Sequence, residues 1–153
     1  MAEMDDDFSD TRDFPWFAVD EAGQLASLRT AGFGHVPTSV RSSKETNKML
    51  GEFVDTLPTL GSTVLDAAFL ERIPEQTFQP IDADLKLSRQ GLYVYDAHPN
   101  YDIPRSLDHR VCSPTRPLTL AELPPEIQTA LGRTKLNGQT FASLPVVDVS
   151  LIP

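Results

Sequence analysis

A chain of 153 residues, 40% hydrophobic and 23% charged, has the composition of one globular domain, large enough to bury a core without disulfides or a structural metal. No apolar run approaches the ~20 residues of a membrane-spanning helix, and a single cysteine, Cys112, leaves no internal disulfide to form. The net charge of −9 is concentrated at the start: residues 1–20 hold seven acidic side chains against Arg12 alone, so the rest carries only −3.

That balance argues against nucleic acid and against an anionic membrane surface as partners, because both require a basic face. It allows a basic protein partner, such as a toxin, since opposite charge speeds encounter. Met1–Asp13 lacks the basic-then-apolar layout of a secretory signal, and a lone thiol suits a reducing compartment, so a cytoplasmic protein is expected. Residues 1–13 read as an acidic, disordered tail and residues 14–153 as a single α+β domain.

Trp16-Phe17-Ala18-Val19-Asp20 is apolar enough for a strand buried on both faces. Glu21-Ala22-Gly23 supplies turn chemistry, and Gln24–Thr30 alternates as a second strand, which predicts a hairpin. After a glycine-containing loop, Ser42 and Glu45 have capping-box spacing. Met49, Leu50, Phe53, Val54 and Leu57 then form one helical stripe that stops at Pro58. A second helix is expected from Ser62 or Thr63 through Leu65, Phe69 and Ile73 to Pro74, followed by a proline-containing loop. Gly91–Asp96 is the clearest later strand. Six prolines between His98 and Pro125 predict an extended surface segment with neither helix nor central strand, pinned by Leu118, Leu120 and Leu123. Pro124-Pro125-Glu126 opens a short helix that Gly132 should terminate in the left-handed conformation. Val146, Val147 and Val149 read as a last, edge strand. The sum is an α+β fold: an N-terminal hairpin, two central helices, and further strands in a mainly antiparallel sheet with a Pro-rich extended segment.

Three constellations carry candidate chemistry. Gly32 and Gly34, in Gly32-Phe33-Gly34-His35, could turn backbone N–H groups toward an anion. The loop lacks a following Lys-Ser/Thr pair and a third glycine, so a tight turn explains it as well. Asp96, His98, Asp108, His109 and Cys112 are metal-ligand and acid–base types close in sequence, and would suit a small metal-dependent or Cys/His hydrolase. Their spacing matches no zinc pattern, and Cys112 has no glycine elbow or helix start beside it to lower its pKa. Trp16, Tyr93, Tyr95 and Tyr101 are aromatics of the kind that anchor interfaces. Tyr93 and Tyr95 share one strand face; the competing reading has the Pro-rich segment covering them.

Trp16-Phe17-Ala18-Val19-Asp20-x-x-Gly23-x-x-Ala26 with Thr30-x-Gly32-x-Gly34-x-Val36-Pro37, and Gly91-Leu92-Tyr93-x-Tyr95-Asp96 with Pro114-x-Arg116-Pro117-Leu118-x-x-x-x-Leu123-Pro124, resemble an uncharacterised bacterial protein family. The shared residues are turns, strands and prolines, so the resemblance implies a fold and carries over no catalytic residue. It implies immunity-protein character only by analogy of size and acidity. The reading is therefore a non-enzymatic bacterial protein-binding domain, an immunity- or antitoxin-like inhibitor, that needs no cofactor or metal. The alternatives are the hydrolase above and a scaffold or anion-sensing domain.

Overall fold

The computed structural model describes residues 14–30, 35–72, 82–97, 104 and 106–153. The hairpin forms as its alternation dictates. Strand β1 (Pro15–Val19) pairs antiparallel with β2 (Leu25–Arg29), from Pro15 opposite Arg29 to Val19 opposite Leu25. Gly23 makes the turn at φ 79°, a backbone region that glycine enters without the Cβ penalty. Asp20 braces the same turn by accepting from the N–H groups of Ala22 and Gln24 at 2.9 Å.

The sheet has six strands in the order β1-β2-β4-β5-β3, with β6 also on β5. Strand β4 (Tyr93–Ala97) runs parallel to β2, and every other pairing is antiparallel. Strand β5 (Leu107–Pro114) is central, with β4 on one side and β3 (Thr63–Leu65) and β6 (Val146–Asp148) sharing the other. This corrects the expectation that the proline density between His98 and Pro125 forbids a central strand. No proline falls between Pro104 and Pro114, and Pro114 sits at the strand's last position. Residues 115–124 do behave as a stiff extended segment, with Leu118 and Leu123 buried beneath it. Strand β6 is an edge strand, as expected.

A bulge divides β5. Val94 lies opposite Cys112 and Tyr95 opposite Arg110, so one step along β4 spans two residues of β5. Arg110 therefore faces the same side as Tyr95, while Cys112 faces the opposite side. Simple alternation would have put them together.

Five helices flank the sheet among the described residues. Helix α1 (Thr38–Arg41) is one turn, and α2 (Lys44–Asp55) is the longest. The cap of α2 is Ser43, one residue beyond the expected Ser42: Thr46 N–H donates to Ser43 Oγ at 3.1 Å. Leu50 and Val54 are its buried stripe. Its last carbonyls are met by buried Gln90, whose Nε2 donates to Val54 and Leu57 at 3.0 and 2.8 Å. The expected second helix is divided: Thr63–Leu65 pairs with β5 as β3, and the helix α3 is Ala67–Arg72. β-branched Thr63 and Val64 fit a strand better than a helix start; Ile73 and Pro74 lie outside the described residues. Helix α4 (Asp82–Arg89) occupies a stretch read as loop. Asp82 and Asp84 in its first turn and Lys86 and Arg89 in its last complement the helix dipole. Helix α5 (Pro125–Gly132) starts at the double proline, but Gly132 stays helical and no left-handed terminator is needed.

The sheet is covered on both faces. On one, Trp16, Ala18, Leu28, Tyr93 and Tyr95 pack against α1 and the last segment, through Leu136, Phe141, Val147, Val149 and Ile152. On the other, Phe17, Leu25 and Leu92 meet Leu50 and Val54 of α2 and Ile127 and Leu131 of α5. Val94, Val111 and Cys112 form a smaller cluster with Leu65, Phe69, Leu85 and Leu87. Among the described residues no helix is long and apolar enough to cross a membrane.

Candidate functional site

Burial takes the described aromatic candidates off the surface. Trp16 and Tyr95 are 0% exposed and Tyr93 5%, so none can anchor a partner on the folded chain. The cover is not the Pro-rich segment but the last segment of the chain. Tyr95 OH donates to the carbonyls of Phe141 and Leu144 at 3.1 and 2.6 Å, and its ring lies 5.7 Å from that of Phe141. Burial raises the proton affinity of both tyrosines; for Tyr93 the carboxylate of Asp20 adds to it. These are core groups with satisfied hydroxyls or packed rings. Tyr101, His98, Gly32, Gly34 and the acidic tail lie outside the described residues.

The acid–base constellation is brought together only in part. Asp96 on β4 is the cross-strand partner of His109 on β5, and Asp108 is the partner of Ala97. Cys112 is elsewhere, beyond the bulge in the core, its thiol directed at the Asp84 carbonyl 3.7 Å away. Burial pushes that thiol up to about 11, where it is not a thiolate at neutral pH. Asp108 is 1% exposed, and burial, then the charge of Asp96, holds its carboxyl well above the ordinary carboxylate range. Its Oδ1 has no hydrogen-bond partner among the described residues. Among those residues no group of three or more His, Cys, Asp or Glu is placed to hold a metal ion. The geometry supplies a neutral buried acid beside a carboxylate, with no nucleophile joined to them.

A different place has the form of a binding site. Between the start of β1 and the exposed side of α2 runs a groove of about 360 Å³, floored by Phe14, Pro15 and Phe17 and walled by Lys44, Asn47 and Lys48. It continues into a space of about 250 Å³ that shares Pro15, Phe17 and Gly51 and reaches Arg29, Asp55 and Lys86. These volumes are in the range that small ligands and short peptide side chains fill. Asn47 Nδ2 donates to the Pro15 carbonyl at 2.9 Å, which locks the helix to the strand at the groove's mouth.

Gly51 keeps the groove open. It lies mid-helix, where glycine costs about 1 kcal/mol relative to alanine. Its φ is not left-handed, and a Cβ there would meet only the Phe17 ring, at 4.0 Å. Neither backbone nor packing requires a glycine, but the free space above Phe17 depends on it. Lys44 and Lys48 stand at one end and Arg29 and Lys86 at the other, against Asp55. Lys48 has Glu52 at 4.0 Å and Arg29 has Asp84 at 3.8 Å, so part of this charge is offset. The lining is still basic on a chain whose net charge is −9.

Sequence reasoning missed this site because its parts come from β1, α2 and α4. One signal was present: Lys44, Asn47, Lys48, Gly51 and Asp55 recur at helical spacing on the side of α2 away from Leu50 and Val54. No protein-family model, no curated protein and no solved structure matches this chain.

Proposed function

We propose that the chain is a non-enzymatic protein-binding domain that holds an acidic, aromatic-bearing segment of a partner protein in the groove between β1 and α2. One observation carries this reading: an apolar floor ringed by Lys44, Lys48, Lys86 and Arg29 is kept open by a glycine that the helix does not need. An aromatic side chain fits the floor over Phe17, and acidic neighbours fit the basic rim. The long-range charge of the chain favours a basic partner, such as the toxin of an immunity pair, and the groove adds a local requirement for an acidic segment on that partner. Inhibition of a partner enzyme in the manner of an immunity protein is one form this binding would take.

The test is the affinity of the full chain for short fluorescent peptides, one set acidic with a central Phe or Trp, the other basic with the same aromatic. The acidic set should bind, at least tenfold more weakly after Lys44→Glu with Lys48→Glu, and weakly or not at all to Gly51→Leu. Gly51→Ala is the folding control, because its methyl group only touches Phe17. Equal binding of the basic set, or full binding by Gly51→Leu, would remove the groove from consideration.

A further inference from the structure

We infer that the groove has a tethered ligand: the chain's own acidic segment, residues 1–13, occupies it in competition with a partner. The inference rests on the groove being a binding site and adds how that site is regulated. Residues 1–13 hold six acidic side chains against Arg12, and Asp5-Asp6-Asp7-Phe8-Ser9-Asp10 places one aromatic ring among four carboxylates. That is the composition the basic rim and the Phe17 floor select. The segment is joined directly to Phe14, which lines the groove.

Reach permits the contact. From Phe14 back to Phe8 the chain extends at most about 20 Å, and the α2 wall from Lys44 to Asp55 is about 17 Å long. The segment can therefore turn back at Phe14 and run the length of the groove. Tethering places it there at an effective concentration on the order of millimolar, so even a weak intrinsic affinity competes with a partner in solution. Screening by salt weakens the charged part of the contact, so release is favoured at high ionic strength.

The experiment uses the full chain, a tail-neutralised chain (Asp5→Asn, Asp6→Asn, Asp7→Asn, Asp10→Asn) and the same neutralised chain with Gly51→Leu. The probe is a labelled synthetic peptide of residues 3–10. The neutralised chain should bind the probe about tenfold or more tightly than the unmodified chain, and Gly51→Leu should abolish that gain. Amide NMR signals of Lys48 and Gly51 should differ between unmodified and neutralised chains, independently of protein concentration. Equal, Gly51-dependent affinity of both chains would overturn self-occupancy and leave the groove as a partner site. Absence of probe binding to every chain would also overturn it, while the peptide panel above judges the groove separately. A concentration-dependent shift of the Gly51 amide would assign the contact to a second copy and overturn the intramolecular form.

Discussion

Two buried aspartates have opposite surroundings, and the contrast predicts opposite behaviour. Asp20 accepts three backbone N–H groups: Ala22 and Gln24 on Oδ1, and Phe141 on Oδ2, each at 2.9 Å. The first two hold the hairpin turn, and the third ties it to the last segment of the chain, more than a hundred residues later. Asp20→Ala leaves those donors without their acceptor and should cost about 3 kcal/mol. Asp20→Asn, which keeps one acceptor oxygen, should cost less, with urea midpoints giving the order. Asp108 is the reverse case, since burial and the Asp96 charge favour its neutral form. A carboxyl whose proton affinity is raised on folding contributes its stability fully below the unfolded value, about pH 4, and loses it as pH rises through the folded value. Asp108→Asn stays neutral at every pH. Its melting temperature should exceed that of the parent at pH 8, and the difference should shrink toward pH 4. A difference of constant size across that range would show that Asp108 does not titrate on folding.

At the scale of elements, the turn from α4 into β4 depends on Gly91. Its φ is 105°, and a Cβ would come within 2.7 Å of the Leu118 backbone nitrogen and 2.8 Å of the Leu118 Cβ. Leu118 N–H donates to the Gly91 carbonyl at 2.9 Å, so this contact holds the extended segment against the sheet. Gly91→Ala must strain the backbone and push Leu118 away, at a cost of about 3 kcal/mol, measurable by denaturant unfolding. The same region marks where reading the sequence stops working. The hairpin was readable because β1 and β2 are adjacent, alternate cleanly and meet at Gly23. The stripe of α2 was readable because Leu50 and Val54 report the helical period. Strand β5 was not, since its neighbours β4, β3 and β6 come from three separate stretches and the prolines around it dominate local propensity. Helix α4 was hidden because its signals are charges at its ends, with only Leu85 and Leu87 as apolar markers. The candidate site was less readable than the fold: Tyr93 and Tyr95 do share a face, but only the tertiary path of Phe141–Ile152 decides that this face is covered.

For the whole molecule, that last segment decides whether there is one folding unit. The N-terminal hairpin gives half of an apolar layer through Trp16, Ala18 and Leu28, and Leu136, Phe141, Val147, Val149 and Ile152 give the other half. Hydrogen bonds join the two halves: Val19 N–H donates to Thr134 O at 3.0 Å, and Leu136 N–H to Val19 O at 2.9 Å. Arg110 extends the link by donating from Nη1 to Phe141 O at 2.7 Å while Nε pairs with Asp66 at 2.9 Å. Phe141 is therefore central, packed against Tyr93 and Tyr95 with no exposed surface. Phe141→Ala removes that ring from a dense core and should cost about 3–5 kcal/mol. Trp16, the single tryptophan, sits in the same layer and reports on it by fluorescence. If hairpin, sheet and last segment form one cooperative unit, Trp16 emission and far-UV circular dichroism will give one urea midpoint in the parent. Both will move together in Phe141→Ala. Should Trp16 emission shift to the red while helical ellipticity persists, the last segment detaches first and the molecule has two units. The groove lies on the opposite face of β1, between Phe17 and α2, so acidic-peptide binding would then survive at urea concentrations that already expose Trp16.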